Sequence, residues 1–179
     1  LSCPWNSVFA QSLGTISGRV TDVRDGSPVE GAILRLGRDG VFGGFEPDNT
    51  IAAEATNADG HFHFSAVPSR DYSLMIEPPA PFLPRVWPNY PCSSIWSCSA
   101  PSTGNIVVAN GSTLVVDAEV EPPGKIVGRA IAQASGAAIP DAIVTAVWKG
   151  SVGGMSRSAL TDASGGYEIA DLPSGPYAL

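Results

Sequence analysis

The feature that most constrains this chain is an internal repeat. At an offset of 110 residues, Ile16-Ser17-Gly18-Arg19 falls on Ile126-Val127-Gly128-Arg129, Gly26 on Gly136, and Ala32-Ile33 on Ala142-Ile143. At an offset of 105, Thr56 falls on Thr161, Gly60 on Gly165, Phe62 on Tyr167, and Val67-Pro68-Ser69 on Leu172-Pro173-Ser174, while Tyr72 and Leu74 fall on Tyr177 and Leu179. Two copies of one module therefore share 179 residues, and each must close around a small core of its own. The five-residue difference between the offsets is assigned to FGGFEPDNTIAAEA, residues 42–55, read as a loop whose length varies without disturbing a packed strand.

Within the repeat, hydropathy alternates with the period of a strand. Ile16, Gly18 and Val20 alternate with Ser17, Arg19 and Thr21, and Asp25-Gly26 marks a turn before the run Ala32 to Leu36. After the Asp59-Gly60 turn, Phe62 and Phe64 share one strand face and His61 and His63 the other, followed by a strand through Tyr72, Leu74 and Ile76. A last strand places Leu114, Val116, Ala118 and Val120 inward, with Asp117, Glu119 and Glu121 on an acidic outer face. The 20 glycines and 16 prolines are too many for a helical chain, which makes the expected class all-β. Copy two has no partner for the last strand. It reads as truncated, and the natural protein is expected to continue beyond Leu179.

Charge and length exclude several functions. With a net charge of −7 there is no basic surface to neutralise a phosphate backbone, so nucleic acid is not an expected partner. No apolar run reaches the roughly 18 residues that a membrane helix needs. The opening LSCPWNSVFAQ carries Val8 and Ala10 at the spacing a signal peptidase reads, so residues 1–10 are taken as the tail of a signal peptide and Gln11 as the mature start. Lipidation of Cys3 is the rival reading, and a plain amino-terminal arm the third. Removing Cys3 leaves Cys92 and Cys98, a pair suited to a small loop disulfide in an oxidising compartment. Two free thiols are the alternative.

Both cysteines lie in an insertion, residues 78–111, whose prolines argue against regular strand pairing and whose aromatic residues Trp87, Tyr90 and Trp96 cluster in sequence. Such rings stack on sugar faces, which makes Trp87, Tyr90 and Trp96 the candidate carbohydrate-binding residues; they serve equally to cover the end of a core. No other chemistry is legible. His61 and His63 are the only histidines, so neither a three-ligand catalytic zinc site nor a Ser-His-Asp triad can be assembled, and no catalytic, metal or cofactor residue is assigned. Asp117 and Glu119 mark a solvated face rather than an acid pair. Asn57-Ala58-Asp59-Gly60 lacks the ligand spacing of a calcium loop and reads as a turn.

Taken jointly, ISGRVTDVRDGSPVEGAILRL with TNADGHFHFSAVPSRDYSL, repeated as IVGRAIAQASGAAIPDAIVTAV with LTDASGGYEIADLPSGPYAL, resembles the carboxypeptidase regulatory-like domain over nearly all of residues 15–179. The resemblance rests on I-x-G-x-V, P-x-x-G-A, T-x-x-D-G and P-x-x-x-Y-x-L; copy two departs from it where Pro140-Asp141 replaces Glu30-Gly31. It implies tandem Greek-key β-sandwiches of prealbumin-like, carbohydrate-binding-like topology, one over residues 15–122 and a second, incomplete copy over 124–179. Repetition, apparent truncation and the absence of legible chemistry point to a monomeric, non-catalytic structural or accessory module of a secreted, periplasmic or cell-surface bacterial protein, with other domains of its own chain as partners; a carbohydrate-binding module that uses the aromatics of residues 78–111 is the alternative. An outer-membrane receptor's amino-terminal accessory domain resembles one such copy, but here there are two. The Lys-Asn isopeptide bond of related adhesin folds is excluded from copy one, which has no lysine between Gln11 and Gly124.

Overall fold

The structure, a computed structural model, describes residues 12–38, 50–88, 90–92, 106–150 and 155–179. Every regular element among them is a β-strand.

Copy one is two sheets face to face. The first is built on β1 (Gly14–Asp22), whose burial alternates strictly, with Ile16 and Val20 fully inward. β4 (His61–Val67) pairs with it antiparallel, setting Ile16 opposite Phe64 and Gly18 opposite Phe62. On the other flank β9 (Thr113–Val115) and β10 (Ala118–Val120) both run parallel to β1, in one continuous register. The predicted strand through Leu114 and Val120 is thus two short strands. The break falls at Val116-Asp117, where the Asp117 carboxylate replaces a main-chain carbonyl and accepts the Arg19 N–H at 2.9 Å. Gly18 makes this approach feasible, since a Cβ there would strike the Val116 carbonyl.

The second sheet has β2 (Ile33–Arg38) between β3 (Thr50–Ala55) and β5 (Arg70–Glu77), both antiparallel to it. Two expectations are corrected here. Residues 50–55, read as loop, form β3, and β13 (Ser156–Leu160) repeats it in copy two. As an edge strand with mostly exposed side chains, β3 carries almost no hydropathy signal. The described parts of the insertion also pair despite its prolines: β6 (Arg85–Val86) joins β5, β7 (Tyr90–Pro91) joins β6, and β8 (Ile106–Val108) returns to the other end of β5. Proline is tolerated because these are two- and three-residue pairings at a sheet edge.

Between the sheets, Ile16, Val20, Phe62 and Phe64 meet Leu34, Leu36, Tyr72, Leu74 and Ile76. Ile106, Val108, Val116, Ala118 and Val120 close the sides of this core. Copy two repeats the framework with fewer strands. β11 (Gly124–Arg129) pairs with β14 (Gly166–Leu172), and β12 (Ile143–Trp148) lies between β13 and β15 (Tyr177–Ala178). Its core is small: Ala146, Ile169 and Leu172 are buried, with Ile126, Val144, Tyr167 and Tyr177 only partly covered. Ile126 is half-open where its counterpart Ile16 is sealed, because no described strand lies against β11 where β9 and β10 cover β1.

Candidate functional site

The repeated polar residues occupy equivalent positions and do equivalent work. Thr56 is buried; its Oγ1 accepts the Ala32 N–H at 2.9 Å and donates to the Val29 carbonyl at 2.6 Å. Thr161 does the same with Ala142 and Ile139, at 2.9 and 2.7 Å. The Tyr72 hydroxyl donates to the Pro68 carbonyl at 2.8 Å and the Tyr177 hydroxyl to that of Pro173 at 2.9 Å, which is why proline and tyrosine recur four residues apart. Arg19 Nε caps the Asp59 carbonyl and Arg129 Nε that of Ser164. Gly60 and Gly165 sit at φ +78° and +79° beneath the carbonyls of Val20 and Ala130. Where copy two departs from the pattern, the backbone does not: Asp141 adopts φ +58° in place of Gly31 at +74°. Aspartate is among the few side chains that accept this left-handed region.

The Asp59-Gly60 turn is fastened by Asn57, whose Oδ1 accepts the N–H groups of Asp59 and His61 at 3.1 and 2.9 Å. Asp162 takes this place in copy two, accepting the N–H of Ser164 and of Gly166, both at 2.8 Å, and the Ser164 hydroxyl. The Ser164 hydroxyl and these two amides hold its carboxyl below the usual range. The Arg24 guanidinium does likewise for Asp22, gripping it from 2.6 Å at the end of β1. These carboxylates are bound to turns rather than aimed at open space. His61 and His63 lie exposed on β4, and no group of three or more metal-ligating side chains occurs among the described residues.

Of the candidate carbohydrate residues, Trp87 and Tyr90 fall in separate clusters. Trp87 packs against the main core and its indole N–H donates to the Asp117 carbonyl at 3.2 Å. Tyr90 belongs to a separate cluster with Met75, Val86 and Cys92; register places Met75 opposite Val86 and Val86 opposite Tyr90. Trp96 lies outside the described residues. Cys92 is buried and disulfide-bonded, and Cys98, its expected partner, is likewise outside them.

Sequence reasoning missed a buried ion pair. Arg85, 5 % exposed on β6, places Nη2 3.3 Å from Glu121 Oε1. Burial pushes the Arg85 guanidinium below its ordinary value, opposed by the nearby carboxylates of Glu121 and Glu119. The available signal was a lone charge in Leu83-Pro84-Arg85-Val86-Trp87, an otherwise apolar run.

A scan of protein-family models finds no match to the chain, and a search of curated proteins finds none. Among solved structures, the chain is similar to a streptococcal ancillary pilin, with a TM-score of 0.49 and 11 % identity over 92 % of this chain and 51 % of that one. A DUF3823 family protein from Bacteroides uniformis gives 0.41 and 17 % over 84 % and 54 %. The 5-hydroxyisourate hydrolase of Klebsiella pneumoniae gives 0.34 and 20 % over 60 % and 90 %. The chain thus spans about half the length of the pilin and of the Bacteroides protein. What the geometry and topology establish is an all-β protein of sandwiched sheets in which one strand framework occurs twice.

Proposed function

We propose that the chain is a non-catalytic structural part of a secreted or cell-surface protein, made of two modules of the carboxypeptidase regulatory-like kind. The observation that supports this is the spending of polar groups. Thr56 and Thr161, Tyr72 and Tyr177, and Arg19 and Arg129 all bind main-chain groups of their own module. Residues that recur for chemistry would converge on a cleft; these converge on turns and strand ends. The test is a panel of ester, glycoside and peptide substrates together with a polysaccharide and glycan binding screen, run on the oxidised chain. No turnover and no saturable binding are expected. Catalysis that survives repurification would overturn the reading. Binding abolished by Trp96→Ala would replace it with a carbohydrate module centred on the insertion.

A further inference from the structure

The two modules meet at Glu121, which sits between β10 and β11 and is followed by Pro122-Pro123. Its main-chain carbonyl accepts the Leu83 N–H at 3.1 Å. Its carboxylate Oε1 faces two ways: Nη2 of the buried Arg85 in copy one lies 3.3 Å away, and the Ser174 N–H of copy two donates to the same oxygen at 3.3 Å. Each end of this chain of contacts is anchored. Arg85 stands on β6, in register with Ile76 of the central strand β5. Ser174 follows Pro173, whose carbonyl receives the Tyr177 hydroxyl, and Tyr177 packs against the core of copy two. Two consecutive prolines fix their own φ, and the residue before a proline is itself confined to extended backbone, so the linker has little freedom to bend.

We infer that Glu121 is a joint that locks copy two onto copy one in a single orientation, making the tandem one stiff body instead of two beads on a flexible string. A buried arginine needs a carboxylate close by, because a lone charge removed from water is costly. Glu121 meets that need within copy one and at once gives copy two an acceptor. This assigns the insertion a role that aromatic composition did not suggest: it carries Arg85, the foundation of the joint. The inference rests on the structural reading of the tandem and deepens it.

The experiment uses the whole chain in weak alignment, with residual dipolar couplings measured separately in each module. The wild type is expected to report one alignment tensor for both copies. Ser174→Pro deletes the N–H on the copy-two side and leaves the Arg85–Glu121 pair untouched; it should split the tensor in two while the copy-one spectrum stays the same. Glu121→Ala should split it as well, and if that change unfolds copy one, Ser174→Pro decides alone. Lys125→Gln, which removes an exposed pair with Glu168, should leave the shared tensor intact. Separate tensors in the wild type, or a shared tensor retained in Ser174→Pro, would overturn the joint. Neither outcome bears on the absence of catalysis, and catalysis, if detected, leaves the joint standing.

Discussion

Replacing Thr56 with valine removes one hydroxyl while keeping nearly the same shape. The buried Ala32 N–H loses its acceptor at 2.9 Å and the Val29 carbonyl loses its donor at 2.6 Å. An orphaned buried polar group costs about 1–3 kcal/mol, so the pair should cost about 3 kcal/mol, with the N–H contributing more than the carbonyl. Serine at the same place keeps both bonds and loses one methyl group, a cost of about 1 kcal/mol. In a urea titration read from resolved amides of copy one, with a slope of about 1.5 kcal/mol per molar, the valine variant's midpoint should fall by about 2 M and the serine variant's by about 0.7 M. The Ala32 amide should also exchange faster in the valine variant alone. Amides of copy two serve as the internal control, since Thr161 holds its own turn. If valine proves as stable as serine, the methyl group and not the hydroxyl is what the position needs, and the account of the repeated threonine fails.

Glycines of the repeat should separate by surroundings. Gly60→Ala drives a Cβ to 2.5 Å from the Val20 carbonyl at φ +78° and should cost about 3 kcal/mol, whereas Gly26→Ala at φ +73° meets nothing within 4 Å and should cost about 1 kcal/mol; thermal melts compare them. Because the folded-state pKa of Asp162 is lowered, the stability it gives is complete above the ordinary carboxylate range and is lost as pH falls through its lowered value. The protection of the Ser164 and Gly166 amides, taken relative to their intrinsic exchange at each pH, should therefore fall in acid while that of the Asn57-bound amides of copy one shows no such onset, and Asp162→Asn should abolish the difference; an unchanged acid profile in that variant would refute it. Peptide mapping of the unreduced chain should recover Cys92 joined to Cys98, and recovery of a Cys3–Cys92 peptide would dismiss the loop disulfide.

Alternation made most of the framework legible, because Ile16, Val20, Phe62, Phe64, Tyr72, Leu74 and Ile76 are apolar exactly where their strands face the core. It failed for β3, whose exposed edge needs no apolar face, and for β6 and β7, where two residues are too few to show a period. The repeat, in turn, marked Thr56, Tyr72 and Arg19, since Thr161, Tyr177 and Arg129 make the same bonds in copy two; it was silent on Asp22, whose place in copy two is taken by Ala132, and on Asn57, which Asp162 replaces. Nothing repeated could point to Arg85 and Glu121: the contact they share with Ser174 joins one copy to the next and has no twin among the described residues. Trp87 and Tyr90 are neighbours in sequence, yet they divide between two clusters because the fold of the short hairpin, not sequence distance, decides what each ring touches.

In copy one the opening strand β1 and the closing pair β9 and β10 lie side by side and run the same way, so the chain comes in beside Gly14 and leaves beside Asp22, at opposite ends of one strand. Pulling on the two ends slides these strands lengthwise past each other. The bonds from Thr15 to Ser112, Val116 to Ser17, Arg19 to Asp117 and Val23 to Val120 are then strained together in shear, where an antiparallel hairpin would be peeled open one bond at a time. Without any covalent cross-link between those strands, the module resists mechanical force along the direction in which its own chain passes through it.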